Sequence, residues 1–108
     1  MRKVTPELIA QAVARLCIQA NYNLPDDVKE CIGACRARED WPAAASVLDS
    51  LIENYHIAQS ERIPICQDTG VACVFVEMGQ DVHIAGSLED AVNEGVPQAT
   101  GKFFSTIL

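Results

Sequence analysis

The chain has 108 residues, 49% of them apolar, and a formal charge of −7. That length bounds it to one domain at most, with a modest core, and the apolar content excludes disorder over most of the chain. The acidic balance excludes nucleic acid as a partner, since phosphate binding needs clustered Lys and Arg, and no apolar run reaches membrane-spanning length. Residues 1–6 carry charge but no apolar signal core, so the expected location is the cytoplasm. Five cysteines, an odd number without a secretory signal, argue against a disulfide framework.

The first predicted element is a helix from residue 5 to about 21. Thr5 suits the N-cap and Pro6 the first helical position. Leu8, Ile9, Ala12, Val13, Leu16, Cys17 and Ala20 form a wide apolar stripe at helical spacing. A second helix starts near Pro25 or Asp26 and runs to about Arg38. Its early acids Asp26, Asp27 and Glu30 suit the positive end of the helix dipole, and Val28, Cys31, Ile32 and Cys35 share its apolar face. Trp41-Pro42 marks the third start. Ala44, Val47, Leu48, Leu51, Ile52, Tyr55 and Ala58 then give the clearest helical period in the chain, over 42 to about 60.

A loop follows. Pro64 fixes its own φ and restricts Ile63, so the chain enters extended, and Gly70 permits a turn. Between them lie a thiol, an amide, a carboxylate and a hydroxyl on consecutive residues: Cys66, Gln67, Asp68 and Thr69. Val71-Ala72-Cys73-Val74-Phe75-Val76 reads as a buried strand over roughly 71–78. Gly79-Gln80-Asp81 turns into a short second strand containing Val82-His83-Ile84. Ser87-Leu88-Glu89-Asp90 fits a capping box and opens a last helix through Ala91, Val92 and Val96. Pro97 to Lys102 is expected to break that helix. The fold class is therefore α+β and mainly helical: three N-terminal helices, a short hairpin or strand pair, and a further helix. The final twelve residues, 97–108, end the chain on an uncharged apolar run, which suits truncation or a segment needing a partner surface.

Cys66 differs from the other thiols. Beside Gln and Asp on a stiffened loop it suits a metal ligand or a reactive thiol, although buried structural cysteine is common. Asp68 suits a general base, a hydrogen-bond acceptor beside a metal, or a turn-capping residue. Gln67 suits a substrate carboxylate or the loop backbone. Cys31 and Cys35, one helical turn apart, could in principle bind a metal, but like Cys17 and Cys73 they fall on an apolar stripe or in the predicted strand and read as packing. His56 lies near the end of the third helix, and His83 points opposite to Val82 and Ile84, toward a site or, as the default, solvent. No Ser-His-Asp order, phosphate-binding glycine loop or HExxH motif is present.

Pro64-Ile65-Cys66-Gln67-Asp68-Thr69-Gly70 resembles the signature of the iron–sulfur-dependent class I fumarate hydratases and tartrate dehydratases, at the start of their α subunit or α region. Ala20-Asn21-Tyr22 with Leu24-Pro25-Asp26-Asp27-Val28, Ile52-Glu53-Asn54 with Ile57-Ala58, Gly79-Gln80-Asp81-Val82, and Ala91-Val92-Asn93-Glu94-Gly95-Val96 are similar to the family as well. The likeness covers about residues 5–96 in unbroken order. It implies that 1–96 is the N-terminal portion of a larger α domain, so that the chain is a fragment of a larger domain, and that 97–108 is a divergent or truncated tail.

The resemblance implies a hydro-lyase that reversibly hydrates or dehydrates a small dicarboxylate, fumarate with malate or tartrate with oxaloacetate. It implies a [4Fe-4S] cluster held by three cysteine thiolates, with the open iron acting as a Lewis acid. Carried over residue by residue, Cys66 is one cluster ligand, Gln67 and Asp68 belong to the substrate-binding wall, Asp68 is the candidate for proton handling, and Thr69 supports the loop. The other two cluster cysteines lie downstream of Leu108 in the family pattern, and the basic residue expected after Gly95-Val96 is replaced by Pro97-Gln98-Ala99-Thr100. The implied partners are the dicarboxylate, a β subunit or C-terminal region, and further copies of the chain. Two other classes fit the residues: a non-catalytic helical binding or assembly domain, and a thiol redox or metal-carrier protein.

Overall fold

A computed structural model describes residues 1–66 and 71–107, with side chains through residue 99. The elements are β1 (Arg2–Val4), α1 (Pro6–Tyr22), α2 (Asp26–Arg38), α3 (Pro42–Glu61), β2 (Val82–Ile84) and α4 (Leu88–Ile107). The fold is mainly helical with one strand pair, as the sequence predicts. They fall into two units. One comprises β1, α1 as far as Ile18, the extended segment 71–79, β2 and α4; the other comprises the end of α1, α2, α3 and residues 62–66.

In the first unit α1 starts where the sequence places it. The Leu8 backbone N–H donates to Thr5 Oγ1 at 3.4 Å, an N-cap bond ahead of Pro6 at the first helical position. The strand pair is not a hairpin. β2 lies parallel to β1, in the register Arg2↔Val82 and Val4↔Ile84, extended by Arg2 N–H to the Asp81 carbonyl and Ala85 N–H to the Val4 carbonyl. His83 is exposed between the half-buried Val82 and Ile84, as period-2 alternation requires. Gly86 follows at φ 155°, and a Cβ there would lie 2.6 Å from Pro6 Cγ, so only glycine turns the chain from β2 into α4 over the start of α1. Ser87 then caps α4, its Oγ accepting from Asp90 N–H at 3.2 Å.

Two expectations fail in this unit, and each has a local cause. Residues 71–79 form no strand: Phe75 is 97% exposed, Cys73 is exposed rather than core, and no neighbouring strand pairs with the segment among the described residues. Its side chains still alternate, because Val74 and Val76 line an open groove with Leu88 and Val92 of α4. Pro97 does not end α4. Among the described side chains of that helix the buried residues are Ala91, Gly95 and Ala99, four apart, while Pro97 is exposed. A Cβ at Gly95 would stand 2.6 Å from the Ala10 carbonyl oxygen and 2.8 Å from Val13 Cβ. Helices α1 and α4 thus approach almost backbone to backbone at Gly95. That contact carries the helix across a proline whose interior cost is about 3 kcal/mol, with the bond lost on the solvent side.

In the second unit α2 and α3 pack as an antiparallel pair. Lys29 Nζ reaches Gln59 Oε1 at 3.5 Å near one end, and Arg36 grips Asp49 near the other through Nε to Oδ1 at 2.6 Å and Nη2 to Oδ2 at 3.2 Å. The apolar face expected on α2 is not buried. Val28, Cys31 and Cys35 are exposed, Ile32 is half-buried, and α2 has no buried residue. Its packing against α3 leaves that face largely open. Tyr55 and Ala58 of α3 are the buried residues of this unit.

The Arg36–Asp49 pair gives one pH prediction. The hydrogen bond from Arg36 holds the Asp49 carboxyl below its ordinary value, against a smaller opposing effect of desolvation. A depressed carboxylate pKa contributes stability that is present above the unfolded value and lost as pH falls through the folded one. Asp49→Asn should therefore lower the thermal midpoint slightly near neutrality. The gap should narrow below pH ~4 and close once the pH passes beneath the folded value. Both groups are solvent-accessible, so the effect is small and shrinks with salt. A gap that widens in acid would contradict the assignment.

Candidate active-site loop

The loop that carries Cys66 is held from three sides within the second unit. It leaves α3 through Arg62, which closes the helix in the left-handed region at φ 54°, ψ 46°. Arg62 N–H and Ile63 N–H both donate to the Ala58 carbonyl, a Schellman-like closure of the last turn. A non-glycine residue in that conformation costs about 1–2 kcal/mol. Part of the cost is offset where the Arg62 guanidinium sits 5.8 Å from the centroid of the Tyr22 ring, a cation–π contact to the end of α1. Ile65 N–H then donates to the Asn21 carbonyl at 2.7 Å, and Cys66 N–H donates to Asn54 Oδ1 at 3.1 Å.

Cys66 itself is exposed, with a free thiol. Gln67 and Asp68, the expected substrate wall, lie outside the described residues, as do Thr69 and Gly70. None of the five cysteines forms a disulfide. Cys17 is half-buried, Cys31, Cys35 and Cys73 are exposed, and no group of three His, Cys, Asp or Glu gathers to hold a metal among the described residues. His56 is exposed beside the Tyr55 ring, with centroids 4.7 Å apart. What the structure adds is Asn54. It stands on the same side of α3 as Val47, Leu51 and Ala58, and the signal that marks it is an amide inside an apolar helical period, where Asn is a poor helix former.

The chain matches the fumarate hydratase (Fumerase) family over residues 10–104, which takes in the whole of this loop. It belongs to the fumarate hydratase family. Among curated relatives, a Methanocaldococcus jannaschii protein provisionally named L(+)-tartrate dehydratase subunit alpha is 33% identical over 94 residues, covering 85% of this chain and 33% of that protein. The L(+)-tartrate dehydratase subunit alpha of Escherichia coli (strain K12) is 26% identical over 94 residues, covering 87% of this chain and 31% of that protein. That of Shigella boydii is also 26% identical over 94 residues. The chain thus spans about a third of the length of the curated relatives it matches. No solved structure matches it. Two of the loop's anchors, the Asn21 carbonyl and the Asn54 side chain, lie outside the loop, and both hold its backbone near Cys66. No helix of the described residues is long and apolar enough to cross a membrane.

Proposed function

We propose that the chain supplies part of the active site of a hydro-lyase that interconverts a small 2-hydroxy dicarboxylate and its dehydrated partner, of the fumarate/malate or tartrate/oxaloacetate kind. The observation that carries this reading is the family match across an exposed thiol on an anchored loop, within the run Cys66-Gln67-Asp68-Thr69-Gly70. An accessible thiol whose backbone is fixed suits one corner of a [4Fe-4S] cluster, and the remaining protein ligands come from polypeptide beyond these residues. When bound, such a cluster supplies Lewis acidity to a departing or arriving hydroxide.

The chain's own residues supply the rest of the local chemistry. Dehydration removes a proton from a carbon beside one carboxylate and hydroxide from its neighbour. Asp68 takes and returns that proton, as the carboxylate of the run Cys66-Gln67-Asp68-Thr69-Gly70. Gln67 donates its amide N–H to a substrate carboxylate and fixes the acid's orientation. The curated relatives are named as subunits alpha, and we propose a β subunit or C-terminal region as the partner here. Large exposed apolar side chains such as Trp41, Leu51 and Phe75 support association with further polypeptide.

The test is anaerobic reconstitution of the assembled protein with iron and sulfide, followed by assays of fumarate hydration and tartrate dehydration. Iron-dependent turnover of one of these acids is the expected result, and a fully iron-loaded protein that turns over neither contradicts the reading. The 108-residue chain alone, treated in the same way, should give no turnover, because it brings one matched thiol where three are needed.

A further inference from the structure

We infer that Asn54 is a positioning residue for Cys66, holding the cysteine backbone so that the thiolate is delivered in one place. The inference rests on the reading that Cys66 is a metal ligand and deepens it. The starting point is the backbone donors of residues 63–66. Ile63 N–H goes to the Ala58 carbonyl and Ile65 N–H to the Asn21 carbonyl, while Pro64 has no donor. Cys66 N–H goes to Asn54 Oδ1. Every backbone donor of residues 63–66 is thereby committed. Two of the three bonds end on main-chain carbonyls, which no side-chain substitution removes. The bond at Cys66 alone depends on a side chain.

The position of that side chain gives it leverage. Asn54 lies in the body of α3, which ends at Glu61, so its amide projects from a rigid support rather than from a loop. The Cys66 sulfur is three bonds from the anchored nitrogen. With N and Cα held, Sγ is confined to the staggered χ1 positions. Metal–thiolate bonds tolerate errors of only about 0.2 Å, and loss of an outer hydrogen bond to a ligand commonly costs 10–100-fold in metal affinity or activity. Asn54 is also unfavourable inside a helix relative to Ala, so helix stability alone does not account for it.

The experiment uses the assembled protein carrying Asn54→Ala, Asn54→Asp or Cys66→Ser. Alanine is the better helix former, so Asn54→Ala removes the acceptor without weakening α3. Amide hydrogen exchange at Cys66 is measured in the metal-free form, and the rate of iron loss to a chelator in the loaded form. Asn54→Ala should speed exchange at Cys66 at least tenfold and iron loss about 10–100-fold, with the thermal midpoint unchanged or raised. Asn54→Asp, which keeps an acceptor at the same reach, should restore the exchange protection. Exchange and iron loss both at the wild-type rate in Asn54→Ala, while Cys66→Ser loses its iron, would overturn the positioning role alone. Cys66→Ser that keeps its full iron would overturn the ligand reading and this inference with it.

Discussion

On the proposed ligand role, Cys66→Ser in the assembled protein should abolish the broad visible absorbance expected of a bound iron–sulfur cluster and reduce the proposed turnover to background. A serine hydroxyl is nearly isosteric with the thiol but stays protonated near neutral pH, whereas thiolates are the usual ligands of such clusters. The cysteine is exposed in this chain, so the substitution removes no buried contact. Fold and stability should therefore stay close to wild type, and that separates loss of a ligand from loss of a fold. Cys31→Ser, Cys35→Ser and Cys73→Ser serve as controls. Each changes an exposed thiol away from the signature and should leave the iron content unchanged. A Cys66→Ser protein with wild-type iron would place the cluster elsewhere.

The second large effect concerns the crossing of α1 and α4. Gly95→Val should lower the stability of the chain by about 3 kcal/mol, since overpacking costs roughly 1–3 kcal/mol and a β-branched residue adds little helix preference in return. The obstacle is a main-chain oxygen of Ala10 at 2.6 Å, which cannot rotate away as a flexible side chain would. Gly95→Ala meets the same atoms but gains up to ~1 kcal/mol of helix propensity, so its loss should be smaller. Gly33→Ala is the contrasting case. It lies inside α2 with nothing within 4 Å of the new Cβ, and it should stabilise the chain by about 0.4–1 kcal/mol. Urea unfolding of the three variants checks the ordering. A Gly95→Val midpoint at or above wild type would refute the close approach.

How much of this was legible in sequence differs by element. The three first helices were read almost to the residue, because each announces itself by a start signal (Thr5-Pro6, Pro25-Asp26, Trp41-Pro42) followed by a 3.6-residue apolar period. The strands were harder, since a strand exists only through its partner. Residues 71–78 have strand composition and no partner among the described residues, whereas Arg2–Val4 has little strand composition and gains a partner nearly eighty residues away. Pro97 misleads because a local breaker rule carries no knowledge of the close approach of Gly95 to Ala10 and Val13 of α1.

The candidate site divides in the same way. Cys66 stood out because a thiol beside an amide and a carboxylate, on a loop stiffened by Pro64, is unlike packing cysteine. The apolar face that Cys31 and Cys35 share pointed to packing, yet both are exposed, because periodicity identifies a face without supplying what covers it. Asn54 was hidden for a different reason. Its function is a bond to a residue twelve positions on, across a helix end and a left-handed turn at Arg62, and no local pattern encodes that closure.

The most direct test of the central claim is the accessibility of one sulfur in two states of the same protein. The assembled enzyme is treated anaerobically with a thiol-alkylating reagent, with and without prior removal of its iron, and labelling is read at each cysteine by mass spectrometry. The account predicts that Cys66 is protected when iron is bound and labelled once it is removed, while Cys31, Cys35 and Cys73 respond equally in both states. Labelling of Cys66 at the same rate with and without iron would contradict it.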